Sequence, residues 1–137
     1  MTDVHDKKTR SYNMSQIRGK NTKPEILVRK FLFSHGFRYR LHDKRLPGKP
    51  DIVLPKNKAV IFVNGCFWHG HEGCRYFVIP KTRTEWWVDK IEHNKITDAH
   101  NFQVLQQLGW SVLIIFECEL SKHNRDKTLN ELVSKIH

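Results

Sequence analysis

The eleven residues NGCFWHGHEGC at 64–74 hold two cysteines, two histidines and two adjacent large aromatics, directly after the apolar run AVIFV. Thiolates and neutral imidazoles are the donors that a four-coordinate zinc ion takes. Together with Cys118 the chain offers five such donors, Cys66, His69, His71, Cys74 and Cys118. One of them is left over. A zinc site of this kind would use all three cysteines of the chain, which suits a reducing compartment and argues against a disulfide framework. The plainer alternative is three unrelated thiols, with Cys118 a small buried hydrophobe at a strand end. Four closely spaced donors speak against it.

Two further groups could do chemistry. Asp51 follows the loop RLPGKP at the start of an apolar stretch, where a carboxylate can hold a hard cation with a neighbouring carbonyl and waters. Taken alone, it is more often a turn-stabilising aspartate. Glu25 has a local explanation as the third residue of a helix-capping box, and Asp98 as an exposed helix residue. The aromatics form the other group: Phe67 and Trp68 in a loop, Trp86 and Trp87 at the opening of a helix. Large rings on a basic protein can enter an opened base step and stack there. Their alternative is a minor core over the metal loop.

A scaffold must position these residues, and 137 residues suffice for one domain with a real core. No apolar run approaches a membrane span, and the start MTDVHDKKTR is polar rather than signal-like, so a cytoplasmic protein without membrane contact is expected. Residues 1–50 hold 13 Lys and Arg against 4 Asp and Glu, nearly all of the net charge of +10. Charge concentrated in this way is the footprint of a nucleic-acid binder, since each neutralised phosphate releases counterions. The bland alternative is a solvated basic face.

Residues 1–20 carry Lys7, Lys8, Arg10, Arg18 and Lys20 with few large apolar residues beyond Met14 and Ile17, so they read as a DNA-contacting arm rather than part of a core. The domain proper is expected over 21–137. Thr22, Pro24 and Glu25 open a helix, Ile26, Leu27, Phe31 and Leu32 follow at helical spacing, and Gly36 closes it. FRYRLH (37–42) alternates like an exposed strand. DIVLP (51–55) and VIFVN (60–64) read as a Val- and Ile-rich hairpin, and 65–82 as a long functional loop. A helix is expected from Thr84 to about Leu108, with Trp87, Val88, Ile91, Ala99, Phe102, Leu105 and Leu108 on its apolar side and Asn94, Asp98 and Asn101 on another. WSVLIIFE (110–117) reads as a buried strand by its apolar continuity, and a last helix is expected at about 127–136. The order α-β-β-β-α-β-α gives an α/β domain with a mixed sheet.

Several long stretches, in order, resemble the very-short-patch (Vsr) DNA mismatch endonuclease family: DVHDKKTRSYNM, LPGKPD, VIFVNGCFWHGH, PKTRTEWWVDKI and LGWSVLIIFECEL. The resemblance implies a restriction-endonuclease-like, three-layer fold with a mixed central sheet flanked by helices and a structural zinc. It implies zinc ligation by Cys66, His71, Cys74 and Cys118, leaving His69 for general acid or base work with Asp98 as its orienting partner. It implies catalytic Mg2+ at Asp51 and at the backbone carbonyl of Val63, with Glu25 acting on the metal shell through water. The Glu-x-Lys of the wider fold is absent from VIFVN, so a histidine takes the lysine's role. Phe67, Trp68 and Trp87, together with Met14, Lys7, Arg10 and Arg18, are implied DNA contacts. Two features depart from the family: the two-residue spacer Glu72-Gly73 before Cys74, and Val63-Asn64 where some relatives carry threonine and histidine.

The expected function is therefore a monomeric, Mg2+-dependent nicking endonuclease. It would cut one strand 5′ of the thymine in a T:G mismatch in double-stranded DNA and so start very short patch repair, with mismatch-repair proteins as partners and a location in the bacterial cytoplasm at the nucleoid. Two other classes stay open at this point. One is a zinc-braced DNA-binding module without catalysis; the other is a homing-type nuclease of the same fold that cuts matched DNA.

Overall fold

The computed structural model describes residues 22–75 and 77–136. The expected arm, with Lys7, Arg10, Met14 and Arg18, lies outside the described residues. Helix α1 runs Lys23–Ser34. Thr22 caps it by accepting the Glu25 N–H at 3.4 Å, Pro24 sits in the first turn, and Gly36 follows its end at φ 87°, a left-handed conformation that glycine adopts without a Cβ clash. Strands β1 (Arg40–Leu41), β2 (Ile52–Leu54) and β3 (Ala59–Asn64) come next, then α2 (Thr84–Gln107), β4 (Ser111–Phe116), a 3-10 turn at Glu117–Leu120 and α3 (Arg125–Ile136). The sheet order is β1-β2-β3-β4. The first three strands are antiparallel, and β4 pairs in parallel with β3 from Ala59↔Ser111 to Asn64↔Phe116. A parallel pair needs a crossover, which the 65–83 loop and α2 supply.

Alternation along the strands separates two cores. Ile52, Leu54, Ala59, Ile61 and Ile115 face Val28 and Leu32 of α1 and Leu129, Leu132 and Ile136 of α3. Val53, Val60 and Phe62 face Leu105 of α2, with Phe102 and Val112 packed alongside. Helices thus cover both faces of a mixed sheet. Among the described residues, no helix is long and apolar enough to cross a membrane.

Three expectations are corrected. The strand read over 37–42 shrinks to Arg40–Leu41, because Phe37 turns into the core and His42 leaves extended geometry at φ 50°. The strand expected to be buried, β4, keeps only Ile115 buried. Among the described residues it lies at the sheet edge, and α2 leaves Ile114 38% exposed. The apolar side read for α2 is mostly open: Ile91 and Leu105 alone are buried, while Val88 and Leu108 are exposed. Besides the packing of Leu105 and Phe102 on the sheet, the helix is held through its polar face, where Asn94 and Asp98 meet the loop after β3.

Candidate active site and metal centre

Asp51 stands just ahead of β2 and reaches sideways to β3, where its Oδ2 accepts the Val63 N–H at 2.7 Å. Burial raises its pKa to about 6. The Val63 hydrogen bond and the nearby His42 and His69 work against that rise, while the Glu25 charge adds to it. Glu25 comes from α1 and is 1% exposed. Its backbone N–H belongs to the helix cap, but its carboxylate faces His42 Nε2 at 2.9 and 2.8 Å and Arg29 at 3.0 Å, so helix capping does not account for its burial. Glu25, His42 and Asp51 each bring a donor atom to within 4.8 Å of the others. Two carboxylates this close, one buried and one half-buried, repel unless cations or protons stand between them. This donor set therefore fits a divalent metal ion.

His42 escaped the sequence reading. Its signal is the register: Arg40 pairs with Val53 and Leu41 with Ile52, so the next step sets His42 against Asp51, whose carbonyl accepts the His42 N–H at 3.0 Å.

Beyond β3 the chain winds through tight turns, with His69 N–H bonded to the Gly65 carbonyl, Gly70 to Phe67 and His71 to Cys66. These turns send the two histidines to different partners. His69 Nδ1 meets Asp98 Oδ2 at 2.6 Å. A carboxylate there accepts a hydrogen bond from Nδ1–H, which leaves Nε2 as the working nitrogen. Asn94, one helical turn before Asp98, donates to the Trp68 carbonyl at 2.9 Å. Gly70, between the histidines, sits at φ 60° so close to α2 that an added Cβ would lie 2.7 Å from Ile91 Cγ2.

His71 joins the sulfur donors. Cys66, His71, Cys74 and Cys118 all lie within 4.8 Å of one another, with His71 Nδ1 3.3 Å from Cys118 Sγ. Phe116 stacks flat on the His71 ring at 3.9 Å and 3°, a contact with no signal in the sequence beyond its position two residues before Cys118. Burial pushes the Cys66 thiol up to about 12 and raises that of Cys118. Three thiols and an imidazole at this spacing fit a tetrahedral zinc ion, which would displace the thiol protons. The cluster lies past the carboxyl ends of β3 and β4 and joins them. His69, the remaining donor of the five, faces Asp98 instead.

The aromatics pack on one another. Phe67 lies 5.4 Å from Trp68 and 5.3 Å from Trp87, and Trp68 lies 5.6 Å from Trp87. Trp86 edges against Trp87 at 4.7 Å. Trp68 and Trp86 remain 43% and 45% exposed, whereas Phe67 and Trp87 are half-buried. The cluster is thus a packed base carrying two outward rings.

Residues 2–75 match the family described as DNA mismatch endonuclease Vsr. The chain is 50% identical over 137 residues to the type II nicking enzyme V.NmeAIP of Neisseria meningitidis serogroup A, covering 99% of this chain and 97% of that protein. It is 44% identical over 135 residues to the DNA mismatch endonuclease Vsr of Escherichia coli K12, covering 98% and 85%. A further relative, the type II nicking enzyme V.XorIIP of Xanthomonas oryzae pv. oryzae, is 50% identical over 121 residues, 88% of each chain. Similarity of this extent over nearly the whole length places the chain in the Vsr family of DNA mismatch endonucleases.

Proposed function

We propose that this protein is a Mg2+-dependent endonuclease that nicks one DNA strand 5′ of the thymine in a T:G mismatch and so begins very short patch repair. The observation that supports it best is His69, bonded to Asp98 at 2.6 Å and near enough to Asp51 to lower its pKa. A proton-transfer group and a cation-binding carboxylate then share one site, as phosphodiester hydrolysis needs. Asp51 and the Val63 carbonyl, with Glu25 acting through water, would hold a divalent ion, which would supply Lewis-acid stabilisation of the phosphate. Asp98 fixes the His69 tautomer, and His69 Nε2 takes the proton of the attacking water as its oxygen bonds to phosphorus and the bond to the leaving sugar oxygen breaks, that oxygen taking a proton from solvent. Cys66, His71, Cys74 and Cys118 would hold a zinc ion, which would brace the turn that carries His69. Trp68, supported by Phe67 and Trp87, enters the opened step at the mismatch.

The scaffold is in this reading a restriction-endonuclease-like domain over 21–137, acting as a monomer. Residues 1–20 form an arm that uses Lys7, Arg10, Met14 and Arg18 on the DNA. Mismatch-repair proteins are its partners, and it works in the bacterial cytoplasm at the nucleoid.

The test is strand cleavage of a T:G duplex beside its matched T:A control, with Mg2+ and with chelator. Nicking confined to the mismatched duplex, on the thymine strand and lost with chelator, is the expected outcome. Equal cutting of both duplexes would make the protein a nuclease of matched DNA, and binding without cutting a recognition module. In the same assay His69→Ala should lose about a hundred- to ten-thousand-fold in rate while keeping its zinc.

A further inference from the structure

The cradle around Asp51 contains a nitrogen donor. His42 adopts φ 50°, in the left-handed region that non-glycine residues seldom enter, and its N–H is tied to the Asp51 carbonyl at 3.0 Å. In that conformation its Nε2 lies 2.9 and 2.8 Å from the two Glu25 oxygens. Three elements thus converge: Glu25 from α1, His42 from the end of β1, and Asp51 from the start of β2. One ligand atom from each lies within 4.8 Å of the others. In an octahedral ion with bonds of about 2.1 Å, adjacent ligands stand about 3 Å apart and opposite ones about 4 Å. Small side-chain rotations therefore close the three donors on one ion.

An all-oxygen cradle is what magnesium takes, whereas imidazole nitrogen suits transition ions. We propose that His42 is a direct nitrogen ligand of the cation held by Asp51 and Glu25, so that this centre binds divalent first-row transition ions more tightly than magnesium. The inference rests on the reading above that Asp51 holds the catalytic cation. Its rival is an imidazole that only donates a hydrogen bond to Glu25 and never touches the ion.

Mn2+ is the stringent probe, because it is paramagnetic and the least nitrogen-seeking ion of its series. The experiment uses the full-length, zinc-loaded protein, so that the cysteine cluster is already filled. Bound Mn2+ is counted by electron paramagnetic resonance, and its ligands are read by electron spin-echo modulation. The expected result is one Mn2+ per chain, lost in Asp51→Asn, with modulation from a directly bonded nitrogen. In His42→Asn, a residue that tolerates the left-handed region, that modulation disappears and Mn2+ affinity falls about tenfold or more, while Mg2+ affinity changes by less than about threefold. In His69→Ala the modulation stays.

If the wild-type spectrum lacks the nitrogen, or the nitrogen persists in His42→Asn or vanishes in His69→Ala, the His42 assignment is overturned while an Asp51-dependent cation still stands. The wild-type spectrum and that of His69→Ala decide the matter even where His42→Asn does not fold. If Mn2+ binding ignores Asp51, both the assignment and the reading beneath it fall.

Discussion

At the scale of single residues, the strongest tension is at Asp51, whose carboxyl is pushed up to about 6 mainly by burial. A carboxyl raised above its usual 3.8 favours the folded chain when protonated. That stabilisation is complete below about pH 4 and is lost as pH rises through about 6. Asp51→Asn removes the buried charge and still offers an oxygen to the Val63 N–H. In chelator at pH 8 the variant should be more stable than wild type by on the order of 1–3 kcal/mol, with the gain vanishing near pH 4, as urea titrations at the two pH values would read. Nicking should fall at least about a hundredfold. A variant that is less stable at pH 8 would show that Asp51 serves the fold rather than a cation. The candidate zinc donors were readable in the sequence because cysteines and histidines announce themselves by type and spacing. His42 was not, because its place beside Asp51 follows from strand register, which the intervening loop RLPGKP leaves open.

At the scale of elements, α2 is the frame on which the turns after β3 are mounted. Asn94 holds the Trp68 carbonyl, Asp98 holds His69, and Gly70 lets the backbone lie against Ile91. Sequence periodicity located the helix and its inward Ile91, Phe102 and Leu105 but not the loop seated on its other side, since a polar stripe that binds a loop has the same pattern as one that faces water. The same limit applies to β4, where apolar continuity does not separate an edge strand from a central one. Gly70→Ala should lower stability by about 1–3 kcal/mol, because it puts a Cβ into Ile91 and a side chain at a left-handed φ. Calorimetry and nicking should fall together. A variant with wild-type melting and rate would mean that the turn is not seated on α2 in solution.

The aromatic cluster belongs to this scale too. Trp68→Ala removes an outward ring from a base that Phe67 and Trp87 still form. Each stacked base is worth about 1–3 kcal/mol, so mismatched DNA should be nicked roughly ten- to a hundredfold more slowly, with matched-duplex binding and zinc content unchanged. Loss of zinc alongside activity would make Trp68 part of the packing over the metal loop.

Across the whole molecule, the cysteine cluster links the loop after β3 to the 3-10 turn after β4. Because burial holds the metal-free thiols protonated, zinc must displace protons on entering. Its affinity should therefore rise with pH by at least about tenfold per unit between pH 6 and 8, with proton release measurable in a weakly buffered titration. Cys118→Ser should lower both zinc content and melting temperature, since a structural site contributes folding free energy directly. An unchanged melting temperature would reduce Cys118 to a buried thiol. The hairpin strands were legible from their Val- and Ile-rich runs, while the way the cluster bridges two strand ends depended on a parallel pairing across more than forty residues of chain.

The parallel pairing of β3 with β4 also orders events during synthesis. Glu25, His42, Asp51 and Val63 leave the ribosome early, on or beside α1 and the first three strands. The partners of the His69 turn come late: Asn94 and Asp98 within α2, then β4 and Cys118. A nascent chain that ends near residue 90 already carries every carboxylate of the cation cradle and none of these anchors. On the proposed mechanism, a chain that stops short of α2 carries the cation donors without the anchors of His69, so its capacity to break a strand arrives only after Asp98 and Cys118 have been added.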